Sequence, residues 1–461
     1  MVAEEKTIAA VATPPGFGGI GIVRLSGPRA KQVLKKLWKN SNVIVDNFIT
    51  NRLYYGNFMD PSTDELIDKG LAVWMKAPNS YTGEDVVEIQ AHGSPILMEK
   101  ILNASLKAGA TLAVPGEFTK RAFLNGKMDL AQAEAVADVI HASSEASLGQ
   151  AKQHLAGRFS QRILEFQTEL VRLRAFVEAS IDFPEEDIEM VEKEGIVGRL
   201  SPIQVSISEL LSTYNEGRLH REGVRTVLVG RPNVGKSSLM NALLGDERAI
   251  VHHKPGTTRD VIEENCQLGG YTFHLFDTAG IRDASDEVEA LGVEKSRELI
   301  EEADLILWVV DGASPLGPED IDFLSRLDLS KTLICVNKTD LGLVWDVRSL
   351  ILEQDKDRLL LISVLENKGL DELQKRMIHW VKHLAPRDAQ GLRVTKVRHR
   401  EILERTLSEL KMAEYSLSDR KAVELVALHL KKAHEYLGEM TGANITEDLL
   451  DKIFSEFCIG K

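Results

Sequence analysis

The sequence is poor in cysteine and lacks any long hydrophobic run, and each absence removes a class of protein. Three widely spaced cysteines, Cys266, Cys335 and Cys458, are an odd number, which argues against a disulfide framework and for a reducing compartment. No stretch of about 18 apolar residues occurs, so no transmembrane helix and no membrane partner are expected. The opening Met-Val-Ala-Glu-Glu-Lys lacks the basic and then apolar plan of a signal peptide, and a cytoplasmic location is the expectation. Excess positive charge is missing as well. With 56 Lys and Arg against 70 Asp and Glu, the formal net charge is −14. That disfavours indiscriminate attraction to nucleic acid or anionic membrane and confines any RNA contact to a restricted basic surface. Internal repeats and low-complexity tracts are absent.

A chain of 461 residues implies about two to four domains. Residues 1–115 read as mixed α/β, with strands at 7–12 and 21–25, a helix at 29–38, and strands at 71–75 and 86–90. Gly16, Gly18 and Gly21 have the spacing of a dinucleotide fingerprint. Pro14-Pro15 interrupts the strand before them and a strand follows, so they make a turn between strands and hold no pyrophosphate. A polar, mixed stretch from Gly116 runs into a long helix over 131–155; a second helix spans 159–183 and a third about 203–219. Residues 399–437 return to long-helix composition with an interruption near 416–419, and a last amphipathic helix at 446–457 places Leu449, Leu450, Ile453, Phe454 and Phe457 on one face. The fold class expected is multidomain α/β and α. It comprises an N-terminal α+β domain (1–118), a helical domain from two chain segments (119–221 and 385–461), and an inserted Ras-like P-loop G domain (222–384).

The chemistry concentrates at Gly230-Arg-Pro-Asn-Val-Gly-Lys-Ser-Ser238, between the apolar run 227–229 and a helical pattern at 239–244. A glycine loop joining strand to helix turns successive N–H groups around a phosphate at a helix N-terminus. Asn233, Val234, Gly235, Lys236, Ser237 and Ser238 are the candidate cradle, with Lys236 reaching the β- and γ-phosphates and Ser237 binding Mg²⁺. Downstream, Gly256-Thr-Thr-Arg-Asp260 supplies Thr258 to complete the Mg²⁺ shell, with Thr257 beside it. Asp277-Thr-Ala-Gly280 ends a strand. Asp277 is placed as the Mg²⁺ partner through water, Thr278 and Ala279 follow it, and the Gly280 N–H senses the γ-phosphate. Asn337-Lys338-Thr339-Asp340 follows the apolar strand at 332–336. The Asp340 carboxylate can accept from both N1 and N2 of guanine, a donor pair that adenine lacks, so the nucleotide is GTP. Ser363-Val364-Leu365 falls where a second base-contacting turn belongs. Ile281 stands where Ras-like enzymes carry a water-orienting glutamine, so catalysis needs another source; Arg282, Asp283, Asp286, Glu287 and Glu289 are candidates, and the Asn233 oxygen is suited to a monovalent cation.

These motifs, together with Ala12-Thr-Pro-Pro-Gly16, Tyr81-Thr-Gly-Glu-Asp85, Pro115-Gly-Glu-Phe118, Arg121-Ala-Phe-Leu-Asn125, Asp129-Leu-Ala-Gln-Ala-Glu134 and the terminal Cys458-Ile-Gly-Lys461, make the chain resemble the tRNA-modification GTPase family MnmE (TrmE) over essentially its full length. The resemblance implies a homodimer that acts with the flavoprotein MnmG to install a carboxymethylaminomethyl-type group on the wobble uridine of certain tRNAs. It implies an N-terminal domain that binds 5-formyltetrahydrofolate or a related one-carbon donor through Arg24, Glu88, Lys127 and Lys461. It also implies K⁺-dependent dimerisation of G domains that activates hydrolysis. In that scheme Asn233 is the side-chain K⁺ ligand, and segment 252–257, with candidates His252, Lys254 and Thr257, is the K⁺-binding loop acting through carbonyls. The Lys254 side chain must then point outward. Glu289 matches the family's water-orienting glutamate.

Cys458 is expected to be an exposed thiol, and the resemblance implies that it is needed for tRNA modification and not for GTP hydrolysis, whereas Cys266 and Cys335 read as small buried hydrophobes. The most basic cluster, Arg393, Lys396, Arg398, His399 and Arg400, has two readings: a solvated linker and helix start, or an RNA-phosphate contact. A ribosome-assembly switch and a folate-dependent one-carbon enzyme with an appended GTPase are the alternatives to tRNA modification. The folate-type residues and Cys458 separate tRNA modification from the ribosome-assembly switch, and tRNA nucleoside analysis tests it against both.

Overall fold

A computed structural model describes residues 6–40, 43–182, 189–245, 262–277, 297–350, 353–383, 391–417 and 423–460. The chain divides into two compact units, one of Met1–Ala137, His154–Asp187 and Tyr415–Lys461, the other of Asp138–Gln153 and Ile188–Glu414. No helix among the described residues is long and apolar enough to cross a membrane.

In the first unit, strands β1 (Ile8–Val11), β2 (Gly18–Ser26), β3 (Trp38–Lys39), β4 (Leu53–Met59), β5 (Leu66–Met75), β6 (Val86–Gly93) and β7 (Thr111–Leu112) form a sheet in the order β3-β4-β5-β6-β2-β1-β7. Neighbours are antiparallel except β1 and β7. Along β2, Val23 and Leu25 are buried while Arg24 faces the other way, the period-2 alternation of a sheet with one covered face. Helices Ala30–Leu37 and Pro95–Lys107 cover that face and share its core with Val87 and Ile89. Gly18 and Gly21 lie in β2 itself, so no helix follows Gly16 and the dinucleotide reading stays excluded.

Helix Glu447–Ser455 has nine residues, too few to be stable alone. It buries Leu450 and Phe454 with Phe457 beyond its end, each side chain worth about 1.5–3 kcal/mol, against Leu130 and Ala133. That burial anchors the C-terminal tail.

Three sequence expectations need correction. The stretch from Gly116 contains a helix, Glu117–Leu124, held by buried Phe118 and Arg121; Gly116 opens it at φ 67°, where a Cβ would lie 2.5 Å from the Phe454 carbonyl oxygen. The single helix over 131–155 is two, Leu130–His141 and Glu145–Leu155, because the Ser144 hydroxyl accepts the Ser147 N–H at 3.1 Å and starts the second. The helix at 203–219 is also two, Glu189–Ser212 and Tyr214–Glu222; Gly195, Gly198 and Pro202 lie inside the first, and their weak helix propensity hid it.

In the second unit, β8 (Val224–Val229), β9 (Ile262–Leu268), β10 (Tyr271–Asp277), β11 (Leu305–Asp311), β12 (Thr332–Asn337) and β13 (Leu359–Leu361) run in the order β13-β12-β11-β8-β10-β9. All pairs are parallel except β9 with β10. β8, β11 and β12 are almost continuously apolar and buried, as strands covered on both faces must be. Helices Lys236–Leu244 and Leu370–His383 supply one cover, and Phe323 and Leu324 from Pro318–Arg326 contribute to the other. The parallel register brings Val229, Asp277, Asp311 and Asn337 to the same edge, where open α/β sheets bind ligands.

Candidate nucleotide site

The loop after β8 is shaped by three left-handed residues, Gly230 (φ 147°), Asn233 (φ 61°) and Gly235 (φ 100°). A Cβ on Gly230 would meet the Val309 carbonyl oxygen at 2.2 Å, and one on Gly235 the Asn337 Nδ2 at 2.4 Å, so both positions require glycine. Asn233 tolerates its conformation because a short polar side chain does so at low cost. Lys236, almost wholly buried, donates from Nζ to the Gly230 and Arg231 carbonyls at 2.9 and 3.0 Å and folds back over the loop. One residue later, Ser237 Oγ donates to Asp277 Oδ2 at 2.6 Å. A hydroxyl and a carboxylate so placed are hard oxygen donors suited to a small divalent cation.

Asn337 ties the other end. Its Nδ2 donates to the Val234 carbonyl at 2.8 Å and its Oδ1 accepts the Val364 N–H at 3.2 Å, joining the phosphate loop, the 337–340 turn and the 363–365 turn. Ser363, fully buried, donates to Asp340 Oδ1 at 2.6 Å and accepts the Glu366 N–H at 3.2 Å, which fixes the carboxylate. A cleft of about 1100 Å³ runs between the two ends, lined by Asn233, Gly235, Lys236, Ser237, Ser238, Asn337, Lys338, Asp340, Val364 and Leu365, among others. Leu365 is 87% exposed at its rim. The cleft thus joins a glycine loop at a helix N-terminus, the Ser237 hydroxyl paired with Asp277, and the Asp340 carboxylate.

The model of the MnmE helical domain matches residues 130–458, and that of the GTP-binding protein TrmE N-terminus matches residues 7–127. The chain belongs to the MnmE family. A tRNA modification GTPase MnmE from Heliobacterium modesticaldum is 47% identical over 465 residues, covering 99% of both chains. The MnmE proteins of Clostridioides difficile and Alkaliphilus oremlandii are 43% and 41% identical at the same coverage. The resemblance stated from the motifs therefore holds. So does the fold class of an N-terminal α+β domain, a helical domain from two chain segments and a P-loop G domain. Like its MnmE relatives, the chain is a GTPase.

In the first unit, Arg24 and Glu88 are cross-strand partners, paired from Nε and Nη2 to Oε1 at 2.9 Å each. The Arg24 guanidinium also lies 5.8 Å from the Tyr81 ring centre and 5.9 Å from that of Phe118, and its Nη1 donates to the Gly460 carbonyl at 3.4 Å. Burial pushes the Tyr81 phenol above its ordinary pKa. Lys127 is exposed and donates to the Pro78 carbonyl at 3.0 Å, so it and Arg24 touch the same 78–83 stretch. Cys458 is exposed, and its carbonyl accepts the Gly116 N–H at 3.5 Å. Cys266 and Cys335 are buried, and burial pushes the Cys335 thiol up to about 12.

His252, Lys254, Thr257, Thr258, Thr278, Ala279, Gly280, Arg282, Glu289 and Lys461 lie outside the described residues. For the basic cluster, geometry favours a structural role. Arg393 is nearly buried against Glu216, with Nε to Oε2 at 2.7 Å, Lys396 faces Asp138 at 3.6 Å, and His399 is fully buried. Sequence reasoning did not single out Asp320, whose Oδ1 takes Arg231 Nε at 2.7 Å beside the phosphate loop, or Asp311, whose Oδ2 takes Lys338 Nζ at 2.7 Å. Their partners were legible in motifs, but the carboxylates belong to no string with a recognisable spacing.

Proposed function

We propose that this chain hydrolyses GTP in the cleft at the ends of β8, β10 and β12 and couples hydrolysis to modification of the wobble uridine of tRNA, together with MnmG, in the cytoplasm. What supports the reading is the joining of Ser237 to Asp277 and of Asp340 to Ser363 across one cleft. Asn233, Val234, Gly235, Lys236, Ser237 and Ser238 hold the phosphates. Asn337, Lys338, Asp340, Ser363, Val364 and Leu365 hold the guanine. Ser237 and Asp277 fit Mg²⁺, with Thr258 completing the shell; the cation would neutralise phosphate charge. Asn233, at φ 61° within the phosphate loop, would lend its amide oxygen to K⁺, with segment 252–257 contributing the rest and Glu289 and Arg282 acting on the water.

The first unit supplies the one-carbon site. The Glu88 carboxylate is an acceptor for the N–H groups of a pterin, Arg24 and Lys127 offer cations to the folate carboxylates, and the tail that carries Cys458 is held to Arg24 through the Gly460 carbonyl. We take residues 1–118, 119–221 with 385–461, and 222–384 as the three domains, and the protein as a homodimer. Two measurements test the proposal together. Purified protein should hydrolyse GTP but not ATP, faster in K⁺ than in Na⁺. Mass spectrometry of tRNA nucleosides from a deletion strain should show the wobble-uridine modification lost, and unchanged wobble uridines would overturn the reading.

A further inference from the structure

We infer that Asp311 is a positioning residue for the guanine end of the cleft, acting through Lys338. The inference rests on the reading of that cleft as the GTP site. Lys338 occupies the left-handed region at φ 62°, which costs a long side chain about 1 kcal/mol or more. Such a conformation persists only where its surroundings over-determine it, and Asp311 is central to those surroundings. Its Oδ2 takes the Lys338 ammonium at 2.7 Å, with the two side chains 16% and 32% exposed, while its Oδ1 accepts the Ala313 N–H at 2.9 Å. Its carbonyl accepts Trp345 Nε1 at 3.3 Å, and the next residue, Gly312, donates to the Asn337 carbonyl at 2.8 Å. The end of β11 therefore braces the 337–340 turn from backbone and side chain together.

The consequence is geometric. Lys338 lines the cleft between Asn337 and Asp340. With its ammonium held at Asp311, its methylene stem stays extended and forms an apolar wall against which a flat purine packs, while Asp340 reads the edge of the same ring. Released from Asp311, the ammonium follows water and the stem leaves the wall. Asp311 touches no nucleotide; its effect on binding passes through Lys338.

The test is a double-mutant cycle read by titration with a fluorescent GDP and by GTP hydrolysis kinetics. Asp311→Asn should raise the GDP Kd and the GTP KM about tenfold, the loss of one charge-assisted hydrogen bond, while kcat at saturation moves less than about twofold. In a Lys338→Met background the same change should add less than about twofold, and Asp311→Glu should recover part of the loss. Equal penalties in both backgrounds, an unchanged Kd, or a fall in kcat without a rise in KM would overturn the inference. Should Asp311→Asn fail to fold, Lys338→Met alone must raise KM, and an unchanged KM there also overturns it. Asp340→Asn separates the two levels. If that variant loses guanine preference and Asp311→Asn does nothing, the site reading stands and only this inference fails.

Discussion

Ser237 Oγ and Asp277 Oδ2 lie 2.6 Å apart across 40 residues of sequence, one at the start of the helix after the phosphate loop, the other at the end of β10. Parallel pairing of β8 with β10, which sets Asp277 opposite Leu228, makes the meeting unavoidable.

From this pair follows the first prediction. Asp277→Asn keeps the size and the acceptor but removes the charge that orients a hydrated cation. GTP hydrolysis should fall roughly 10–100-fold, and the Mg²⁺ concentration for half-activity should rise. A magnesium titration of the rate checks this, and an unshifted midpoint counts against the assignment.

Guanine recognition gives the second. Asp340→Asn replaces a double acceptor by a donor and an acceptor, matching xanthine, whose 2-position carries a carbonyl. The KM for GTP should rise at least about 100-fold and xanthosine triphosphate should become the preferred substrate. Ser363→Ala removes the donor to Asp340 Oδ1 together with the acceptor for the Glu366 N–H, and should cost about 1 kcal/mol, near fivefold in KM.

A third concerns the tail. Cys458→Ser should retain GTP hydrolysis and abolish tRNA modification. Gly460 sits at φ 92°, where a Cβ would lie 2.3 Å from the Val11 carbonyl oxygen, so Gly460→Ala should displace the tail and reproduce the same division of activities. Loss of hydrolysis in either purified variant would refute the separation.

The fourth is a pH dependence. Burial, aided by the Arg393 charge and opposed by Glu216, lowers the His220 pKa below its ordinary 6.5. Between that lowered value and 6.5 the unfolded chain binds more protons than the folded one, so this contribution to stability is complete above 6.5 and is lost as pH falls below it. Urea midpoints at about pH 7.5 and 5.5 should diverge in the parent and converge in His220→Gln.

Much of this was legible without coordinates. The nucleotide strings could be read because each functional group lies in a short contiguous segment at fixed spacing, and buried parallel strands announce themselves as apolar runs such as 227–229 and 332–336. The helix break at 142–144 and the helix running through Pro202 could not be read. In one the composition favours continuation and a single serine cap decides, and in the other tertiary packing overrides propensity.

By itself, the sequence determined the family and the GTPase, and it named the short segments that are candidates for phosphate and guanine. Tertiary structure alone decided that Arg24 reaches the carbonyl of Gly460, that Glu216 and Asp138 neutralise the basic residues Arg393 and Lys396, and that Asp311 holds Lys338. Those partners stand 436, 177, 258 and 27 residues apart. No local propensity or spacing encodes such pairs, because they arise only when chain segments that have already folded are packed side by side.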